Sequence, residues 1–243
     1  NNHVVVIIDE EDKRVFERRL SNDLSQTLKV LQPYQSTLSG IAVESTFNWY
    51  WLVDGLQSHG YQVKLVNTCA VVQYDGLKYS GDQHDAFHLA HLMRLGILPT
   101  GYIYPKEQRA VRDLLRRRLS LVRMASAQLI GVQSQLWRSI GIRISSDTLR
   151  RQDFKIPLEE GHTRQAIESA LVVYQAIQRE IDALEQSAYQ AVKLSKAFEI
   201  LQTVRGIGKI LGLTIMLETG DIHRFASAGD FASYCRCVDS TRT

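Results

Sequence analysis

The stretch Gly40-Ile41-Ala42-Val43-Glu44-Ser45-Thr46 decides the fold of this 243-residue chain. Its apolar residues form a short buried strand, and Ser45 or Thr46 can cap a helix that runs to Gly60. The run Tyr61–Val66 then predicts another strand. Because strands joined through a helix pair in parallel with a right-handed crossover, this part of the chain has the pattern of an α/β protein.

The residues before this stretch predict a hairpin. Val4–Ile8 is a β-branched run, and a polar cluster from Asp9 to Asp12 separates it from Arg14–Arg18, which can return as an antiparallel partner. Ser21-Asn22-Asp23 can cap a helix through about Tyr34. The fold class is therefore a mixed α/β sheet with flanking helices.

Long helices follow from Pro105 onward. The apolar periodicity predicts a helix over Lys106–Ile140 and a second over Thr163–Leu201, and a shorter apolar helix over Ile210–Glu218 ends at Gly220. The second helix has a heptad seam that suits an antiparallel or intermolecular helix pair. We predict three regions with the bounds 1–145, 146–198 and 199–243.

Composition excludes several classes of protein. With 44% hydrophobic and 23% charged residues the chain is of globular type, and no apolar run approaches the roughly 20 residues of a membrane span. Three cysteines cannot form a disulfide framework, and no signal peptide opens the sequence. We expect a cytoplasmic protein. The net charge of +3 means that any affinity for nucleic acid depends on local clusters of charge.

Three carboxylates are candidates for catalysis. Glu44 ends the short strand, where α/β sheets place ligands, and Asp82 and Asp85 lie three residues apart at a predicted helix N-terminus. Carboxylates on one face repel each other unless a cation or proton is shared, so a divalent metal is a natural occupant. The alternative is that Glu44 interacts with the dipole of the helix that follows it.

The first long helix begins with a basic segment. Between Lys106 and Arg123 it carries seven basic and two acidic residues, and four arginines fall on one stripe that suits phosphate binding. The four are Arg109, Arg112, Arg116 and Arg123. The alternative is a solvated helix face.

A glycine turn, Gly206-Ile207-Gly208-Lys209, precedes the short apolar helix. Its glycines would let backbone N–H groups approach a phosphate, and Lys209 would add positive charge. A simple helix break is the alternative.

The remaining aromatic and histidine residues favour structural roles. The segment Asn48–Trp51 has the helical spacing of core packing, although it could stack on a base, and Tyr234 belongs to an apolar run. His84 and His88 are one turn apart, but no third ligand lies at zinc-binding spacing, so we expect no structural zinc.

Taken together, these motifs resemble the RuvC-like, RNase H-fold domain of the DEDD transposases, the insertion-sequence family that includes the Piv-type invertases and the bridge-RNA-guided recombinases. The resemblance is carried by Val43-Glu44-Ser45-Thr46, Asp82-Gln83-His84-Asp85-Ala86 and Arg112-Asp113-Leu114-Leu115. A second resemblance, to the family's C-terminal transposase domain, is carried by Arg205-Gly206-Ile207-Gly208, Gly220–Phe225 and Phe231-Ala232-Ser233-Tyr234.

The resemblance implies a tetrad Asp, Glu, Asp, Asp that works with Mg²⁺. Glu44, Asp82 and Asp85 match its last three members. The first Asp belongs to a strand that lies a few residues before Asn1, and Asp9 is ordinary turn chemistry rather than its substitute. The family also uses a serine nucleophile, whose position follows Thr243, while Ser240 is out of register. The resemblance thus implies a piece of a longer protein, trimmed at both ends.

The implied function is DNA transposition or site-specific recombination by a homo-oligomer, a dimer or tetramer. DNA is the partner and, in one branch of the family, a structured guide RNA. The regions are then a RuvC-like catalytic domain with the basic helix 106–140, a coiled-coil hairpin for dimerisation, and the start of a C-terminal domain with a helix-hairpin-helix-like turn. The alternatives are a metal-dependent junction endonuclease and a non-catalytic nucleic-acid-binding protein.

Overall fold

The computed structural model describes residues 2–71, 81–192 and 195–238. The chain forms two compact units, residues 1–104 and 105–243. The first unit contains β1 (Asn2–Ile8), β2 (Arg14–Ser21), α1 (Leu24–Leu31), β3 (Ile41–Glu44), α2 (Tyr50–Ser58), β4 (Val63–Val66), α3 (Asp82–Arg94) and β5 (Thr100–Gly101). The second unit contains α4 (Lys106–Ile140), α5 (Ser146–Leu149), α6 (His162–Val192), α7 (Lys196–Gln202), α8 (Lys209–Thr219) and α9 (Ala228–Tyr234).

The strands of the first unit form two sheets. β1 and β2 are the predicted antiparallel hairpin, with Val5 opposite Arg18. β3 and β4 pair in parallel, as predicted, and the short β5 pairs antiparallel with β4. The result is a mixed α/β unit in which the described residues of the hairpin and of the three-stranded sheet share no ladder.

The first unit has its main core between the sheets and α1 and α2. Ile7 of β1, Val43 of β3 and Leu65 of β4 are buried together with Val53 and Leu56 of α2. A second cluster holds α3 against the end of β4 through Leu89, Leu92 and Val66. These contacts hold the end of β3 and the second half of α3 in the cores of the first unit.

Two helix starts in this unit were predicted from capping residues, with different outcomes. Asp23 caps α1 by accepting hydrogen bonds from the backbone N–H groups of Ser25 and Gln26, as expected from its residue type. The prediction that Ser45 or Thr46 caps α2 is wrong, since α2 begins at Tyr50 without a side-chain cap. Residues 45–49 are instead a loop between β3 and α2.

The second unit is built on a long pair of helices, α4 and α6. The predicted bounds of α4 are confirmed, and Gly141 ends it with a left-handed backbone, φ +68°. Leu115 packs with Ala188, Ala125 with Ile181, and Val132 with Ile167, so the pair is antiparallel. The heptad seam read from the sequence is thus used within the chain.

Shorter helices pack against this pair in the second unit. Phe198 of α7 and Leu213 and Leu217 of α8 are buried against Leu115 of α4. The predicted apolar helix corresponds to α8, and Gly220 ends it. Across the described ranges, no helix combines the length and the apolarity that a membrane crossing requires.

Candidate active site and nucleic-acid surface

A cleft of about 1180 Å³ lies in the first unit, and the three candidate carboxylates are among the residues that line it. Glu44, Asp82 and Asp85 all line it. Glu44 arrives at the end of β3, while Asp82 and Asp85 occupy the first turn of α3. The sequence prediction that Asp82 and Asp85 open a helix is confirmed.

Glu44 is the carboxylate of this cleft whose surroundings oppose its charge. The pKa of Glu44 is raised from its ordinary value, first because the protein around it reduces its hydration, and then because of the negative charges of Asp85 and Asp82. A nearby cation would relieve this repulsion. The alternative interpretation, in which Glu44 interacts with the first turn of α2, does not fit a helix that begins six residues later.

The donor chemistry of this cleft suits a divalent cation, but the three side chains are not gathered around one point. Carboxylate oxygens are the ligands that Mg²⁺ prefers. Within the described residues, no three His, Cys, Asp or Glu side chains form a group that could hold a metal ion. Asp82 is engaged elsewhere, since the guanidinium of Arg19 on β2 donates to its Oδ2 at 2.6 Å. Arg19 is a residue that the sequence analysis missed, because only the hairpin geometry brings it to α3.

Two strands present open edges to the same cleft. Every residue of β1 lines it, as do all four residues of β3. Because side chains alternate between the faces of a strand, only a strand edge can present each consecutive residue to one space. Among the described strands, β1 pairs only with β2, and β3 only with β4. The cleft therefore runs between two unpaired strand edges, with the acidic residues at one end.

The aromatic residues that follow Glu44 in the sequence differ in how far they are buried. Trp49 packs against the core and meets Tyr50 edge to face, with ring centroids 4.6 Å apart. The packing role expected for Asn48–Trp51 fits this arrangement at Trp49. His84 and His88 stack on each other along α3, with centroids 6.4 Å apart.

The four arginines of the predicted basic stripe have different surroundings. Arg109 is only 4% exposed, and Arg112 is partly buried. Arg116 is exposed but forms a two-pronged ion pair with Glu218 of α8, at 2.6 and 2.7 Å. Arg123 is exposed. The stripe is therefore not a continuous surface of free charge, because Arg109 is buried and Arg116 is paired with Glu218.

Arg117 is a further exposed arginine on α4, outside the predicted stripe. It and Arg123 make no ion pair with the described residues. Arg117 and Arg123 are six residues apart, a spacing that does not belong to one helix stripe. Periodicity alone does not show which arginines form ion pairs with a carboxylate. Both side chains are therefore exposed positive charges on α4.

The predicted glycine turn lies at the surface, between α7 and α8. Gly206 has a left-handed backbone, φ +93°, whereas Gly208 has an ordinary φ of −74°. A Cβ built on either glycine would meet nothing within 4 Å. Nothing inside the described structure therefore requires glycine at 208, and the space above it is open to a ligand. Lys209 is exposed, with its Nζ 4.7 Å from the ring centre of Tyr189.

The C-terminal residues of this unit are held by packing. Tyr234 donates its hydroxyl hydrogen to the carbonyl oxygen of Glu218 at 3.0 Å, and its ring lies 5.2 Å from that of Phe225. This arrangement fits the structural role that the sequence suggested for Tyr234. Ser240, the out-of-register serine, lies outside the described residues.

Two family models match this chain. Residues 1–139 match a transposase model of the DEDD, IS110 type. Residues 198–243 match the model of the transposase IS116/IS110/IS902 family. The first match contains the acidic cleft, and the second contains the glycine turn. No curated protein matches the chain.

Proposed function

The chain belongs to the IS110 family of DEDD transposases, and we propose that its acidic cleft breaks and rejoins DNA strands during transposition or site-specific recombination. The observation that carries this proposal is that Glu44, Asp82 and Asp85 line one cleft, within the part of the chain that matches the DEDD model. The RNase H-like fold that the resemblance implies is part of the proposal.

The proposed metal ligands are Glu44, Asp82 and Asp85, with Mg²⁺ as the cation. A bound divalent cation would neutralise charge on the phosphodiester and activate an attacking oxygen. The chain itself supplies negative charge that repels phosphate, which is why a cation is needed before DNA can approach. Asp82 must exchange Arg19 for the cation, so Arg19 competes with metal binding.

We propose that a fourth carboxylate enters on an additional strand between β1 and β3. The two unpaired edges along the cleft support this, because a strand placed there would complete the backbone hydrogen bonds of both sheets. Its end beside Glu44 would place a carboxylate with the other three. Hydrogen exchange tests the idea, since a version of the protein that carries this strand should protect amides of β1 and β3 that exchange freely in the 243-residue chain.

The nucleic-acid surface proposed for the second unit consists of the exposed arginines of α4 and the glycine turn. Arg123 from the original stripe and Arg117 are exposed, and Gly206, Gly208 and Lys209 form an open turn at the start of α8. Arg109, Arg112 and Arg116 are engaged or partly buried, so we assign them a smaller part in DNA binding.

Three finer points rest on the family resemblance. We propose a serine nucleophile whose hydroxyl oxygen replaces a deoxyribose oxygen at phosphorus, which leaves a covalent serine–DNA ester and a free deoxyribose hydroxyl that can reverse the step. We also propose action as a homo-oligomer and, in the RNA-guided branch, recognition of a structured guide RNA. An adduct that survives denaturing gels would support the serine step and exclude the junction endonuclease.

A titration with Mn²⁺, followed by its electron paramagnetic resonance signal, tests the metal site without requiring catalysis. Glu44→Gln should weaken Mn²⁺ binding by about tenfold or more, because it removes a charged ligand. Arg19→Gln should strengthen binding, because it releases Asp82 from its ion pair. Arg18→Gln is a control of the same type on the same strand, since Arg18 is exposed and makes no ion pair with the described residues. Equal binding by all four proteins would contradict the proposed site.

DNA binding measured over a range of salt concentrations tests the surface of the second unit. Arg117→Ala and Arg123→Ala should each reduce the slope of log affinity against log salt by about 0.9, the value for one lost phosphate contact. Arg150→Ala is the control, because that arginine pairs with Asp147 in α5. An unchanged slope in both variants would return these arginines to the solvated helix face.

A further inference from the structure

The side chain of Phe47 is 98% exposed, which sets it apart from every other large apolar side chain in the described part of the first unit. The other exposed ones there are Val15, Leu95 and Ile97, at 47%, 47% and 60%, and none of them is aromatic. A fully hydrated phenyl ring forgoes the stabilisation of about 2 kcal/mol that its burial would give. The ring therefore has a large apolar area available for a ligand.

The loop that carries Phe47 is fixed on both sides. The backbone N–H of Thr46 donates to the carbonyl oxygen of Glu44 at 2.9 Å, and the Thr46 hydroxyl donates to Oδ1 of Asn48 at 2.9 Å. On one side Val43 is buried, and on the other Trp49 packs against the same core. The ring is held outward by a short loop whose ends are anchored in the core of the unit.

This loop stands beside the acidic cleft. Phe47 follows Glu44 by three residues, and both of its neighbours, Thr46 and Asn48, line the cleft while Phe47 does not. The ring therefore lies at the edge of the cleft, next to the carboxylate whose pKa is raised.

Charge explains why a ring is useful at this position. Glu44, Asp82 and Asp85 repel the phosphates of DNA, so this part of the surface cannot hold a strand by ionic contacts of its own. A nucleobase offers a flat apolar face that an exposed phenyl ring can stack on, and such stacking does not depend on charge. A base is accessible for this contact only where it is unpaired or unstacked.

We propose that Phe47 stacks on an unpaired or unstacked base of the DNA at the acidic cleft and positions the neighbouring phosphate there. This inference rests on the proposed function of the cleft and adds a residue that recognises DNA by shape. Phe47 is a positioning residue, since it touches a base rather than the reacting phosphate.

The test uses the 243-residue chain and a DNA duplex with one unpaired 2-aminopurine, compared with the fully paired duplex, with Ca²⁺ present as the cation that offsets the charge of the carboxylates. Phe47→Ala should weaken binding to the unpaired probe by between about 5-fold and about 150-fold and abolish the change in 2-aminopurine fluorescence. Its salt slope should stay at the wild-type value, because no phosphate contact is lost. Phe47→Trp should restore both signals.

Ile97→Ala is the matched control, because it truncates an exposed apolar side chain of the same unit away from the cleft loop. Wild-type affinity and fluorescence in Phe47→Ala would overturn the inference while leaving the proposed function intact. If the wild-type chain itself binds no DNA, the proposed function fails first. Loss of self-association in Phe47→Ala, seen by sedimentation without any change in DNA affinity, would assign the ring to a protein contact and also overturn the inference.

Discussion

At the scale of one residue, Glu44 shows how a proposed binding site lowers the stability of the folded chain. Its carboxylate is held where hydration is reduced and where Asp85 and Asp82 add negative charge, so its pKa is raised. A carboxyl group with a raised pKa is disfavoured in the folded state whenever it is ionised. The folded chain therefore bears an electrostatic cost at neutral pH that a bound cation would remove.

We expect Glu44→Gln to stabilise the chain at pH 7 while it weakens metal binding. The gain should be at most about 1 kcal/mol after solvent screening, which corresponds to a rise of a few degrees in Tm for a chain of this length. The effect should disappear in acid, because below the unfolded value near 4.5 the wild-type carboxyl is protonated in both states. Chemical denaturation at pH 4 and pH 7 measures both results, and a loss of stability at pH 7 would contradict them.

Asp12 is the opposite case, a carboxylate that the fold stabilises. It lies in the turn between β1 and β2, where φ is +64°, and Arg94 of α3 binds its two oxygens while His91 contacts it at 2.9 Å. These partners, the Arg94 hydrogen bond first, lower the pKa of Asp12. The hairpin is thereby attached to the helix that carries Asp82 and Asp85.

The stabilising contribution of Asp12 should be present at neutral pH and lost as the pH falls through its lowered pKa, below the ordinary value of 3.8. Asp12→Asn removes the charge, and asparagine tolerates the left-handed backbone of the turn. This variant should be less stable than wild type at pH 7, and the difference should shrink toward pH 2.5. Urea denaturation across that range provides the measurement. A difference independent of pH would show that the ion pair is not its cause.

At the scale of elements, the turn between α7 and α8 separates two reasons for a glycine. Gly206 needs its left-handed φ of +93°, which a side chain rarely adopts. Gly208 has an ordinary φ and open space where a Cβ would stand. Nothing in the described part of the fold requires glycine at 208, which agrees with the proposal that a phosphate approaches its backbone.

Gly206→Ala should destabilise the chain by about 1 kcal/mol or more, because the substitution is strained. Gly208→Ala should change the unfolding free energy by less than about 0.5 kcal/mol but should weaken DNA binding by about tenfold, since a Cβ blocks the close approach of a phosphate. Thermal denaturation and a DNA titration on the same two proteins distinguish these effects. Normal DNA affinity in Gly208→Ala would leave the turn as a simple helix break.

At the scale of the whole molecule, the two proposed functions belong to different compact units. The acidic cleft and Phe47 lie in residues 1–104, whereas Arg117, Arg123 and the glycine turn lie in residues 105–243. A substitution in one unit should therefore change either metal binding or DNA binding, and not both.

We expect Glu44→Gln to bind duplex DNA with a wild-type salt slope while its Mn²⁺ affinity falls. The double variant Arg117→Ala, Arg123→Ala should retain wild-type Mn²⁺ affinity while its DNA affinity falls, because neither arginine belongs to the unit that contains the cleft. Measuring both ligands on both proteins completes the comparison. If one substitution changed both affinities, the two sites would not be independent.

The sequence predicted the elements whose signals are local. The hairpin of β1 and β2, the strand that ends at Glu44, the start of α3 at Asp82 and the bounds of α4 all follow from β-branched runs, turn residues and helical periodicity. These signals are reliable because each depends on residues within a few positions of one another. The three candidate carboxylates were found in the same way, from their places at a strand end and a helix start.

Tertiary structure decided which of the candidate residues are exposed and unpaired, and so available to a ligand. It started α2 at Tyr50 rather than at a cap in Ser45 or Thr46, and so left residues 45–49 as the loop that exposes Phe47. It paired Arg19 with Asp82 and Arg116 with Glu218, and it buried Arg109. The partners in these two ion pairs are 63 and 102 positions apart in sequence. No local pattern records such contacts, because they depend on how packed elements meet in space.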